Sequence, residues 1–121
     1  MPQAAILLLA FLAAVPAGAA DLAAGKRVFA RCGICHAVAA HAPSSVGPDL
    51  HGLFGRKAGS LAGYDYSPAM KHSGIVWNDA TLTKFLRDPN AFVPGTKMGF
   101  PGIDNAADIK NLLAYLRQAT D

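Results

Sequence analysis

Glutamate is absent from this chain of 121 residues, only two cysteines occur, and no charged side chain precedes Asp21. Two cysteines, with no paired His-x-His at a complementary spacing, are too few for the roughly four N or S ligands of a structural zinc site. The charges, 11 Lys and Arg against 8 Asp, leave a net of only +3. So slight an excess, interspersed with Asp, excludes a nucleic-acid-binding stripe, although it favours encounters with acidic partners. Period-two hydrophobic alternation is scarce, which removes the strand-rich setting that a thioredoxin-like Cys-x-x-Cys pair requires. Repeats and low-complexity tracts are missing too, and the length suits one domain.

Residues 4–15 form an uninterrupted apolar run. It is shorter than the roughly 20 residues a bilayer-spanning helix needs. Pro16 and small residues follow, so 1–20 reads as a secretory signal peptide cut after Ala20 or Ala19, leaving 21–121 as the folded domain. No Lys or Arg precedes the run, and an uncleaved membrane anchor is the alternative.

The most informative stretch is Cys32-Gly33-Ile34-Cys35-His36. Two cysteines three apart with histidine next is the c-type haem attachment signature. On a helix these positions relate as i, i+3 and i+4, so both sulfurs and the imidazole leave one face and meet one flat macrocycle. Cys32 and Cys35 would form thioethers with the haem vinyl groups, and His36 would ligate the iron. That attachment is made outside the bacterial inner membrane, which agrees with an exported, periplasmic chain.

The remainder reads as helices separated by long loops. A first helix is predicted over 21–35, with Leu22, Val28 and Phe29 on its apolar face and Gly25 at a close approach of another backbone. Residues 37–63 are rich in turn formers, including Pro43-Ser44-Ser45 and Gly47-Pro48, and Leu50, Leu53 and Phe54 are expected to pack on the haem in place of a conventional core. Ser67-Pro68 starts a short helix ended by Gly74. Asn78 caps a helix carrying Leu82, Phe85 and Leu86 and stopped by Pro89. Two prolines and three glycines surround Met98 in 94–102, and Asn105 starts a last helix with Ile109, Leu112, Leu113, Tyr115 and Leu116 on one face.

With Gly47-Pro48-Asp49-Leu50, Gly74-Ile75-Val76-Trp77 and Pro94-Gly95-Thr96-Lys97-Met98 in that order after the haem motif, residues 25–120 resemble the class I cytochromes c, nearest the mitochondrial cytochrome c and bacterial cytochrome c2 group. The resemblance implies an all-α fold of four or five helices and long loops around one covalent haem c. It implies a soluble, non-enzymatic one-electron carrier between respiratory or photosynthetic complexes. By the same resemblance Met98 is the second axial ligand opposite His36, and the Pro48 carbonyl accepts the other ring N–H of His36. Arg56, Tyr66 and Trp77 surround the haem propionates, and Thr96 lies beside the Met98 sulfur. Met70 is the rival sulfur, read as an apolar packing residue, and His41, His51 and His72 are read as loop or surface residues.

Two positions depart from the family. Phe85 stands where many relatives have a tyrosine that hydrogen-bonds the methionine sulfur, and Met70 where mitochondrial relatives have asparagine. Both changes remove polar groups beside the iron and are expected to alter its potential. The implied partners are redox complexes with acidic faces: a quinol–cytochrome c reductase, a terminal oxidase, a reaction centre or a dehydrogenase. A monomer would meet them transiently through Arg31, Lys97, Lys26 and Arg27. The competing function is a haem enzyme or gas sensor in which Met98 is loosely held.

Overall fold

The computed structural model describes residues 1–12, 19–42 and 46–121. Part of the expected cleavage segment (Pro16, Ala17 and Gly18) and the Pro43-Ser44-Ser45 turn lie outside the described residues. Among the described residues five helices follow in order: α1 Leu22–Phe29, α2 Pro68–Lys71, α3 Asp79–Arg87, α4 Pro89–Phe92 and α5 Ala106–Ala119. The expected all-α class is therefore the observed one. Among the described residues extended pairing is confined to an isolated antiparallel bridge between Lys57 and Val76, and no helix is long and apolar enough to cross a membrane.

Local chemistry accounts for the helix starts. Each helix N-terminus leaves amide donors without intrahelical acceptors, and here Asp21, Ser67, Asn78, Asp88 and Asn105 each accept one through a side-chain oxygen. Asn78 and Thr81 form a reciprocal capping box.

Two boundaries differ from expectation. The first helix ends at Phe29, not Cys35, because the ladder tightens: the Arg31 amide bonds to Val28 O at 3.2 Å and the Cys32 amide to Phe29 O at 2.7 Å. Pro89 stops α3 as expected but also opens α4, since a proline at the first helical position forfeits no intrahelical bond and Asp88 caps it.

The core lies where α5 crosses α1 and packs on α3. Leu112 is fully buried, and Ile109, Leu116, Leu82, Phe85 and Leu86 are nearly so. At the crossing the α1 backbone approaches α5 so closely that a Cβ on Gly25 would lie 2.0 Å from Asn111 O and 2.9 Å from Tyr115 Cβ. Beside it the Phe29 and Tyr115 rings stack at 5.4 Å. By contrast, Ile6, Leu7, Leu8 and Phe11 of the N-terminal run are 85 to 96% exposed.

Candidate functional site

Helix α1 ends directly before the Cys-x-x-Cys-His stretch, and a single turn carries the motif. The His36 amide bonds to Cys32 O at 2.9 Å and the Cys35 amide to Cys32 O at 3.0 Å, so the helical spacing of the three side chains survives locally although the long helix does not. The turn forms one wall of a cavity of about 830 Å3 whose boundary includes Cys32, Cys35, His36, Pro48, Arg56, Tyr66, Trp77, Thr96 and Met98. All nine sequence-predicted site residues thus meet in one place. Both cysteines stand as thiols not joined to each other, and burial pushes the Cys32 thiol up against the opposing pull of Arg31.

His36 is held from two sides. Its Nδ1 lies 2.7 Å from the Pro48 carbonyl oxygen. That acceptor fixes the proton on Nδ1 and leaves Nε2 as the nitrogen with a lone pair. Burial lowers the His36 pKa, the Pro48 carbonyl opposes the shift and Arg56 adds to it; the net direction favours the neutral, ligating form. The second support is Gly47, which the sequence marked as a turn former and part of the family motif but not as a partner of His36. A Cβ there would lie 2.6 Å from His36 Cε1 and 2.8 Å from Nδ1. Gly47→Ala is accordingly expected to push the ring off Pro48, cost about 1–3 kcal/mol by overpacking and lower the yield of haem-loaded protein, measured by denaturant unfolding and haem absorbance per chain.

At the other end, polar groups surround the cavity floor. Arg56 donates from Nη2 to Asp49 O at 2.8 Å and from Nη1 to His51 O at 2.9 Å, with the Asp49 carboxylate 3.9 Å away. Trp77 is pinned by its backbone, whose amide bonds to Arg56 O at 3.0 Å and whose carbonyl accepts from the Gly55 amide at 2.7 Å. Tyr66 accepts from the Leu61 amide at 3.3 Å, and burial pushes its phenol up, with that amide and Arg56 pulling the other way. A phenol that stays protonated still has its O–H to donate. Among the described residues neither that O–H nor the Trp77 indole N–H has a protein acceptor, and both residues are buried at the cavity. Ser67, not singled out from sequence, joins them: it is 4% exposed, lines the cavity and uses its oxygen to cap α2, while its proton has no acceptor among the described residues. Among the described residues no fully buried side-chain N or O lacks a partner, so these donors line the cavity rather than sit orphaned in the core, and clustered in this way they suit anionic oxygens.

Apolar side chains make up most of the rest, with Leu50, Leu53, Leu82, Phe85, Leu112 and Leu116 among them. Phe54 departs from expectation: it does not line the cavity but lies under the Arg117 guanidinium, 4.3 Å from its ring centroid, where it joins a loop to α5. Phe85 is 6% exposed and stacks on Trp77 at 5.1 Å. Met70 and Met98 both line the cavity, whereas His41, His51 and His72 do not and are exposed. Met98 sits in an irregular loop steadied by the Thr96 hydroxyl, which accepts the Met98 amide at 3.3 Å.

Thiols beside a neutral imidazole, an apolar slot and a donor cluster at its floor form a donor set that fits haem, with its vinyl edge, iron and propionates. Comparison with known proteins agrees. Residues 22–120 match the family model Cytochrome c. The chain is 45% identical over 103 residues to cytochrome c2 of Blastochloris viridis, covering 85% of this chain and 81% of that one. It is 49% identical over 96 residues to cytochrome c-550 of Bradyrhizobium diazoefficiens, covering 79% and 71%. The solved structure of cytochrome cH from Methylobacterium extorquens superposes with a TM-score of 0.76 at 44% identity, over 81% of this chain and 98% of that one. The chain belongs to the cytochrome c family, whose members carry electrons on a haem c held covalently by a cysteine pair, here Cys32 and Cys35.

Proposed function

We propose that this electron carrier closes its iron between His36 and Met98 and exchanges single electrons with redox complexes at the cavity mouth. The observation that carries the reading is the 2.7 Å contact of His36 Nδ1 with the Pro48 carbonyl, which leaves Nε2 for a metal. Haem supplies the ferric/ferrous couple, and a Met/His pair favours a raised potential. The residues do the rest. Pro48 and Gly47 hold the imidazole from both sides, and Thr96 steadies the Met98 loop. Arg56, Tyr66, Trp77 and Ser67 hold the propionates with neutral and cationic donors. A closed site keeps similar geometry in both oxidation states, and electron transfer needs no nucleophile or general base, so catalysis on a substrate is no part of this reading.

Export to the periplasm with removal of 1–20 belongs to the same proposal. Its support is the exposure of the described part of the apolar N-terminal run, residues 4–12, ahead of a first helix capped by Asp21. Docking to acidic faces of a quinol–cytochrome c reductase, terminal oxidase, reaction centre or dehydrogenase would use Arg31 and Lys97, which line the mouth, and Lys26 and Arg27, which end the exposed side of α1.

The test is a visible difference spectrum of the reduced, haem-loaded protein with and without carbon monoxide at neutral pH. No change is expected. Ready binding would show an open sixth position and shift the reading to a gas sensor or haem enzyme.

A further inference from the structure

Behind the donor cluster at the cavity floor stands a charge that the haem site itself does not touch. Asp49 is 8% exposed and forms no part of the cavity wall, whereas its partner Arg56 does. The Asp49 Oδ1 accepts the His51 amide at 3.1 Å and lies 3.9 Å from Arg56 Nη1. That second separation is too long for a hydrogen bond, so carboxylate and guanidinium meet as charges only. What holds the guanidinium is main chain, since Nη1 donates to His51 O and Nη2 to Asp49 O. A guanidinium carries about five N–H donors, so others remain for an anionic oxygen in the cavity.

The carboxylate is therefore not needed to place Arg56, and an uncharged acceptor would serve the His51 amide. A buried ion pair without a direct hydrogen bond is also a poor source of stability. Its burial instead gives it reach. The side chains of Arg56 and Asp49 are 15 and 10% exposed, against 51 to 88% in the other two ion pairs among the described residues, Lys97–Asp65 and Arg117–Asp79. Solvent screens those exposed pairs and screens the enclosed one much less. Both enclosed charges are felt along the cavity wall. Burial raises the Tyr66 phenol, the Leu61 amide and Arg56 oppose the rise, and Asp49 adds to it. At His36 burial lowers the pKa, the Pro48 carbonyl opposes the fall, and Arg56 adds to it.

We infer that Asp49 tunes the redox couple through Arg56: its buried carboxylate offsets the guanidinium charge and holds the reduction potential below the value a neutral residue at 49 would give. An electron arriving at the iron is opposed by a nearby anion and favoured by a nearby cation. With Asp49 in place the cation is partly cancelled, and the ferric state gains. This rests on the reading that Arg56, Tyr66, Trp77 and Ser67 hold the haem propionates.

The experiment is potentiometric titration of the haem-loaded protein at neutral pH, comparing the wild type with Asp49→Asn, Asp49→Ser and Arg56→Gln. Asparagine and serine keep an acceptor for the His51 amide and remove only the charge, so a merely structural role for Asp49 would leave the potential where it is. Two neutral replacements are used so that a folding defect in one leaves the other to decide. Both are expected to raise the ferrous-to-ferric ratio at the wild-type midpoint about three- to ten-fold, the order of one partly buried unit charge felt across a haem. Arg56→Gln, which leaves the carboxylate uncompensated, is expected to lower that ratio. If Arg56→Gln lowers it while both Asp49 variants leave it unchanged, the propionate reading stands and the tuning role of Asp49 is overturned. If none of the three moves the ratio, the propionates lie elsewhere and both readings fall.

Discussion

Replacing Gly25 with alanine is expected to unfold the protein at temperatures where the wild type is fully native. The added Cβ would lie 2.0 Å from the Asn111 carbonyl oxygen and 2.6 Å from its carbon. Neither neighbour is a side chain that can swing away, since both belong to the α5 backbone, which is tied into its own helical ladder. Relief requires α1 and α5 to move apart, which loosens the Phe29–Tyr115 stack and the burial of Leu112. Alanine gains about 1 kcal/mol over glycine inside a helix, but overpacking against rigid backbone exceeds that, so a net loss of about 3 kcal/mol is expected. In a domain of this size that corresponds to a fall in Tm of roughly 12–24 °C. Melting of Gly25→Ala within about 2 °C of the wild type, in thermal unfolding followed by circular dichroism, would overturn the account of the crossing.

The crossing was legible because a glycine amid good helix formers needs a reason, and close approach is the commonest one. The haem motif was legible because its chemistry is local: three side chains within five residues share a face on any single helical turn. The Pro48 partner came only with the family resemblance, since nothing in Gly47-Pro48 alone names a histidine eleven or twelve residues upstream. What escaped the sequence is non-local. Cys32 follows a tightened ladder rather than an α-helix, and Ala30 and Arg31 carry no helix-breaking signal. Pro89 was read only as a stop, although Asp88 before it is a capping residue and the pair both ends one helix and begins another. The Lys57–Val76 bridge that pins Trp77 is too short to leave a period in the sequence. Phe54 is expected on the haem because its turn-rich loop has no core of its own, but Arg117 of α5 holds it elsewhere. The pairing of Lys97 with Asp65 spans 32 positions.

The choice between the two sulfurs is settled by paired variants. Met70 and Met98 both line the cavity, but they are held differently. Met70 lies on α2, whose short turn packs so tightly on residue 59 that a Cβ on Gly59 would come within 2.8 Å of Lys71 Cα. Met98 hangs from an irregular segment in which the Thr96 amide bonds to Val93 O at 3.0 Å and the Thr96 hydroxyl accepts the Met98 amide. A segment fixed at its backbone but free of helical register can place a thioether over a metal at the distance the bond requires. Met98→Ala is therefore expected to open the sixth position. A soft sulfur that favours ferrous iron is replaced by water, a harder donor that favours ferric iron. The potential should then fall on the order of 0.1–0.3 V, a fraction of the roughly 0.8 V range that axial ligands command. Carbon monoxide, which the wild type is expected to exclude, should bind the reduced variant readily. Met70→Ala removes an apolar side chain at the cavity wall, and is expected to cost about 2–3 kcal/mol of stability while keeping carbon monoxide out. Potentiometric titration and carbon monoxide difference spectra of the two variants decide the assignment: if Met70→Ala opens the iron and Met98→Ala leaves it closed, the ligand is Met70 and the Met98 loop is only its cover.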